Sequence, residues 1–99
     1  MSEQSVFLIT GASKGLGRSI CGILANKGYV VVGLARQSSE LDELDAYLKK
    51  YNGKSCAIAC DLSVPKLVNN TAGEIVKRFP AIHGIIHNAG IIGLSLIHI

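Results

Sequence analysis

The sequence predicts an α/β fold: one parallel sheet with helices on both faces, in the order βαβαβαβ. Three observations predict it. Short, continuously apolar runs recur, among them Val6-Phe7-Leu8-Ile9-Thr10 and Tyr29-Val30-Val31-Val32-Gly33-Leu34, and strands apolar on both faces belong to parallel sheets covered on both sides. Between these runs lie longer stretches whose apolar residues recur at helical spacing. The first run passes directly into Thr10-Gly11-Ala12-Ser13-Lys14-Gly15-Leu16-Gly17, a glycine-rich turn entering a helix.

Taken in order, the first strand is Val6 to Thr10. The first helix runs from Gly17 to about Lys27, with Leu16, Ile20, Ile23 and Leu24 as its apolar face and Gly28 as its C-terminal cap. The second strand is Tyr29 to Leu34. Ser38 or Ser39 then caps a helix whose face is Leu41, Leu44, Leu48 and Tyr51, and Asn52-Gly53 ends it. The third strand is about Ser55 to Cys60. Asp61-Leu62-Ser63-Val64-Pro65 leads into the third helix, with Ser63 a candidate cap and Pro65 tolerated in the first turn. Leu67, Val68, Ala72, Ile75, Val76 and Phe79 form that helix's apolar face, and Pro80 ends it. The fourth strand, Ile82 to His87, leads into Asn88-Ala89-Gly90. Crossovers of this kind are right-handed and build a parallel sheet. Four strands leave such a sheet incomplete, with Ile82–His87 as an unpaired edge.

Composition narrows the function classes. Ninety-nine residues make at most one small domain. A hydrophobic content of 48% with only two prolines argues for a folded core. Ten Lys/Arg against seven Asp/Glu give a net charge of +3, too mild a bias to indicate a nucleic-acid partner, and Lys49, Lys50 and Lys54 read as a solvated helix end. Met1-Ser2-Glu3-Gln4-Ser5 is polar and shows no signal peptide, and the apolar runs are strand-length, so no membrane span is expected. The three cysteines show no metal-type pattern. They read as buried thiols of a reducing, cytoplasmic compartment, Cys56 and Cys60 sharing one strand face.

The ligand site of a parallel sheet lies beyond the carboxyl ends of its strands. Those ends carry Thr10–Gly17, Ala35-Arg36, Asp61-Leu62 and Asn88-Ala89-Gly90. A helix N-terminus presents unsatisfied N–H groups and a partial positive charge, and glycine lets backbone and ligand approach closely, so the first turn reads as a pyrophosphate cradle. An acidic residue about twenty positions after the glycines would bond the ribose 2′-hydroxyl of NAD. Ala35-Arg36-Gln37 stands there instead, and the guanidinium of Arg36 suits a 2′-phosphate. Lys14 adds a second positive charge, so the expected cofactor is NADP(H). Asp61 reads either as an acceptor for the adenine amino group or as a turn residue, and Asn88 as a strand-end pin or an Asx-turn. His83 and His87, on a buried strand, read as core residues, and Tyr29, Tyr47 and Tyr51 as core or helix-face residues.

These residues resemble the short-chain dehydrogenase/reductases: Thr10-Gly11-x-x-x-Gly15-x-Gly17, then Asp61-Leu62, then Asn88-Ala89-Gly90, over roughly residues 5–93. The three-residue gap between Gly11 and Gly15 is similar to that of the single-domain members. The resemblance implies a Rossmann-like fold and reversible hydride transfer between NADP(H) and an alcohol/carbonyl pair on a small molecule. Carried over by position, Gly11, Ser13, Lys14, Gly15, Leu16 and Gly17 hold the pyrophosphate and adenosine phosphate. Arg36 takes the 2′-phosphate, Asp61 and Leu62 flank adenine, and Asn88, Ala89 and Gly90 support the ribose. Homo-oligomers are common in the family. One departure is His87, where the family motif has a further Asn. The other is catalytic: the family's Ser, Tyr and Lys, the Lys four residues after the Tyr, have no match, since Tyr47 and Tyr51 are followed by Lys50 and Lys54 at the wrong spacing. Residues 1–93 therefore read as the N-terminal half of an NAD(P)-binding domain, inactive alone. The alternatives are a non-catalytic nucleotide-binding module or an inactive truncation. Leu94-Ser95-Leu96-Ile97-His98-Ile99 is what CTG TCT CTT ATA CAC ATC encodes, resembling a transposon end used as a sequencing adapter, so residues 94–99 read as a non-native tail.

Overall fold

The structure, a computed structural model, describes residues 5–87 and 95–97. Its elements are β1 (Val6–Thr10), α1 (Gly15–Asn26), β2 (Val30–Ala35), α2 (Ser39–Tyr51), β3 (Cys56–Ala59), α3 (Pro65–Arg78), β4 (Gly84–His87) and β5 (Ser95–Ile97). The sheet order is β3-β2-β1-β4-β5. The first four strands are mutually parallel, which is the Rossmann-like α/β arrangement expected. The chain walks outward through β1, β2 and β3, then returns so that β4 lies on the other side of β1. The carboxyl ends of β1 and β4 thus form the switch point where such sheets bind ligands.

Alternation along the strands sorts the core into two layers. On one face, Phe7, Ile9 and Val31 pack with Ala12, Cys21 and Ala25 and with Leu41, Leu44 and Leu48; α1 and α2 cover this side. On the other, Val6, Val30, Val32, Leu34 and Cys56 meet Ile75 and Phe79 of the α3 segment. The face of α1 that the sheet buries differs from the expected one. Gly17, Cys21 and Ala25 are buried, while Leu16 is 55% and Ile23 57% exposed. The reason is steric: small residues four apart bring the helix axis close to the strands, and the bulkier Ile20 and Leu24 flank the seam. Burial pushes the Cys21 thiol up to about 12, against the opposing charge of Arg18, so it packs as a small apolar group.

The α3 face is likewise narrower than its pattern suggests. Ile75 is its only buried residue, and Leu67 and Val76 are exposed. The small patch of sheet beneath α3 is filled by Ile75 and Phe79. Ser63 does not cap this helix; the cap position is Val64, without a side-chain bond, because the Ser63 hydroxyl is committed to Asp61. Ser38 does cap α2, accepting from the Leu41 N–H.

His83 is exposed rather than part of the core. It precedes β4, and its Nδ1 accepts from the Val6 N–H at 2.9 Å, so it serves the strand edge as an acceptor. The edge of β4 is not bare: β5 pairs with it antiparallel, Ile85 with Ile97 and His87 with Ser95. Unpaired strand groups favour any extended segment within reach, and an antiparallel return needs only a short connection. No helix among the described residues is long and apolar enough to cross a membrane.

Candidate functional site

At the carboxyl edge of the sheet lies an open cleft of about 710 Å³. Its first wall is the turn after β1, where Gly11, Ser13 and Lys14 line it. Thr10 ends the strand buried. Gly11 at φ 59° and Gly15 at φ 56° then turn the chain through left-handed backbone that other residues avoid. A Cβ on Gly15 would meet nothing within 4 Å, so there the requirement is backbone conformation, not space. Lys14 occupies the N-cap of α1 and no side-chain cap bond forms there among the described residues, which leaves first-turn N–H groups for an external acceptor. The Ala12 N–H donates to the Leu34 carbonyl at 3.1 Å and ties this turn to the end of β2.

The second wall is the β2–α2 junction, with Ala35, Arg36, Gln37 and Ser38. The third is the segment after β3, with Cys60, Asp61, Leu62 and Ser63, positioned by the Cys60 N–H donating to the Ala35 carbonyl at 2.8 Å. Asp61 Oδ1 accepts from the Ser63 N–H at 3.0 Å and from its hydroxyl at 2.6 Å, the Asx-turn that was one of its two readings. Those bonds, with the nearby Arg36 charge, hold its carboxyl below the usual carboxylate range. At the switch point, Thr10 Oγ1 and His87 Nδ1 are 3.1 Å apart, which joins the end of β1 to the end of β4.

Of the residues singled out in the sequence, the cleft brings together Gly11, Ser13, Lys14, Arg36, Asp61 and Leu62. Gly15 shapes the turn, Gly17 is buried against the sheet and Leu16 is exposed. Asn88, Ala89 and Gly90 lie outside the described residues. Sequence reading missed Glu40, which does not line the cleft but pairs with a residue that does. It lies in the first turn of α2, and its Oε2 is 3.2 Å from Lys14 Nζ. Only an acidic residue two positions after a capping Ser hinted that it would face the same edge. Among the described residues no group of three or more His, Cys, Asp or Glu could hold a metal ion.

Comparisons with known proteins agree with this arrangement. The chain is 35% identical over 88 residues to a farnesol dehydrogenase from Aedes aegypti, covering 88% of this chain and 36% of that protein. It is 34% identical over 89 residues to the 3-oxoacyl-[acyl-carrier-protein] reductase FabG of Vibrio cholerae, covering 90% and 35%. It thus spans about a third of the length of these relatives. Among solved structures, L-sorbose reductase from Gluconobacter frateurii, in complex with NADPH and L-sorbose, superposes with a TM-score of 0.79 at 30% identity, over 89% of this chain and 34% of that one. A metagenomic short-chain oxidoreductase in complex with NADP gives 0.79 at 29%, over 91% and 42%. The short chain dehydrogenase family model matches residues 5–98, so nearly the whole chain carries its pattern on its sheet: the protein belongs to the short-chain dehydrogenase family.

Proposed function

We propose that this chain is the cofactor-binding part of an oxidoreductase that exchanges hydride between NADP(H) and an alcohol/carbonyl pair on a small molecule. The observation that carries it is the meeting of Lys14 and Arg36, from two different turns, in one cleft at the carboxyl edge of the sheet. The residues fit such a ligand. Two positive-φ glycines and an uncapped helix start suit a pyrophosphate, and a planar guanidinium beside an ammonium suits a 2′-phosphate. The NADP and NADPH held by structural relatives support the same choice.

In this reading Gly11, Ser13, Lys14, Gly15, Leu16 and Gly17 form the phosphate cradle, and Arg36 with Lys14 takes the 2′-phosphate. Leu62 flanks the adenine, and Asp61, its Oδ1 held by Ser63, faces the adenine edge. Asn88, Ala89 and Gly90 support the ribose side. The bound dinucleotide supplies or accepts the hydride. This chain's own residues bind and orient it; the sequence contains no Tyr followed four residues later by Lys, so the proton-handling groups lie in the remainder of a longer protein. A cytoplasmic setting and a homo-oligomeric parent belong to the same proposal.

The test is direct titration of NADPH and NADH into the full-length protein. NADPH binds more tightly, and Arg36→Gln removes most of that margin while changing NADH affinity little. Equal affinity of the unaltered protein for both cofactors overturns the choice of NADP(H).

A further inference from the structure

One carboxylate outside the cleft lining pairs with a residue of that lining, and the proposed binding mode leaves it unused. Glu40 Oε2 stands 3.2 Å from Lys14 Nζ, a contact that links the first turn of α2 to the glycine turn after β1. The Glu40 backbone N–H, followed by the bond and charge of Lys14, holds this carboxyl below its ordinary range, so it is ionised at neutral pH. Arg36, on the β2–α2 junction, lines the cleft together with Lys14. Cations draw in a phosphate on the ribose 2′ position, and Glu40 opposes that attraction in two ways. It occupies the ammonium of Lys14, and it sets a like charge beside the phosphate's place. An unphosphorylated ribose meets neither obstacle, because its 2′-hydroxyl is neutral.

We propose that Glu40 is a specificity-determining residue of this site, its ion pair with Lys14 moderating the preference for adenine nucleotides that carry a 2′-phosphate over those that lack it. The inference rests on the reading that Lys14 and Arg36 receive that phosphate. Its size follows from exposure. The two side chains are 73% and 43% exposed, and pairs so placed are worth a factor of about two to five in an equilibrium constant, reduced further by salt.

The experiment titrates 2′,5′-ADP and 5′-AMP by calorimetry into the full-length protein, its Glu40→Gln variant, and both in a Lys14→Gln background, at low and high salt. Glu40→Gln tightens 2′,5′-ADP about two- to fivefold at low salt and leaves 5′-AMP unchanged. The gain shrinks at high salt and in the Lys14→Gln background. The ratio of the two affinities cancels any general loss of folded protein. A ratio that stays constant or falls in Glu40→Gln overturns the inference and leaves the reading of the cleft standing, and so does a gain of full size without Lys14. An unaltered protein that does not favour 2′,5′-ADP over 5′-AMP overturns the reading of the cleft, and the inference with it.

Discussion

Gly33 shows how tightly single residues are specified around the cleft. It sits inside β2, and a Cβ there would lie 3.0 Å from Ala12 Cβ and 3.0 Å from Leu44 Cδ2. Leu44 can turn its side chain aside, but the Ala12 Cβ is fixed to the backbone of the glycine turn. Gly33→Ala therefore pushes on the wall that carries Ser13 and Lys14. Overpacking of this kind costs about 1–3 kcal/mol. The urea midpoint of the full-length protein is expected to fall accordingly, with weaker NADPH binding alongside; a variant unchanged in both would show that the turn yields freely. Nothing in the sequence marks Gly33 apart from its place in an apolar run, whereas Gly11 and Gly15 were legible because their spacing belongs to a turn. His83 departs from the expected strand position for a related reason. Apolar neighbours place a residue on a strand, but they do not reveal that His83 stands outside the strand as an acceptor for Val6.

At the scale of elements, Asp45 fastens α2 to the edge strand. Its Oδ1 accepts from the Ala57 N–H at 2.8 Å, and its Oδ2 from Lys49 Nζ at 2.8 Å. Partial burial pushes the Asp45 carboxyl up, but the Lys49 bond and charge and the Ala57 N–H outweigh it, and the net shift is below the ordinary 3.8. A carboxyl depressed in the folded state contributes stability that is present above its unfolded value and is lost as pH falls through its folded one. Asp45→Ala is therefore expected to cost about 1–2 kcal/mol near neutral pH, and the difference from the unaltered protein narrows below about pH 3.8. Urea melts across that range check it; a difference constant with pH would place the effect in packing rather than charge. Helix existence, a serine cap at Ser38 or Ser39 and the βαβ alternation along the chain are readable from local pattern. Which helix face is buried was not, because in α1 the seam runs through Gly17, Cys21 and Ala25, which a count of large apolar residues passes over.

For the whole molecule, the side-by-side order of β3, β2 and β1 gathers three separate loops into one cleft. The same topology leaves α3 lightly covered, with Val76 69% exposed. The sequence holds no Tyr followed four residues later by Lys. The 99-residue chain by itself is expected to show no carbonyl-dependent loss of NADPH absorbance. Measurable turnover from clean material would locate a proton donor among the residues present and overturn the assignment of this chain to binding alone.

By itself the sequence determined the α/β class, the four parallel strands, the glycine turn and the basic residues at two strand ends. These follow from periodicity, turn chemistry and charge, which act over a few residues. Tertiary structure alone decided that Glu40 reaches Lys14, that Asp61 is held by Ser63 beside Arg36, that small residues form the α1 seam, and that β5 pairs with β4. Those outcomes depend on distances between segments far apart in the chain, set by how closely helices settle on the sheet, and local pattern carries no information about that closeness.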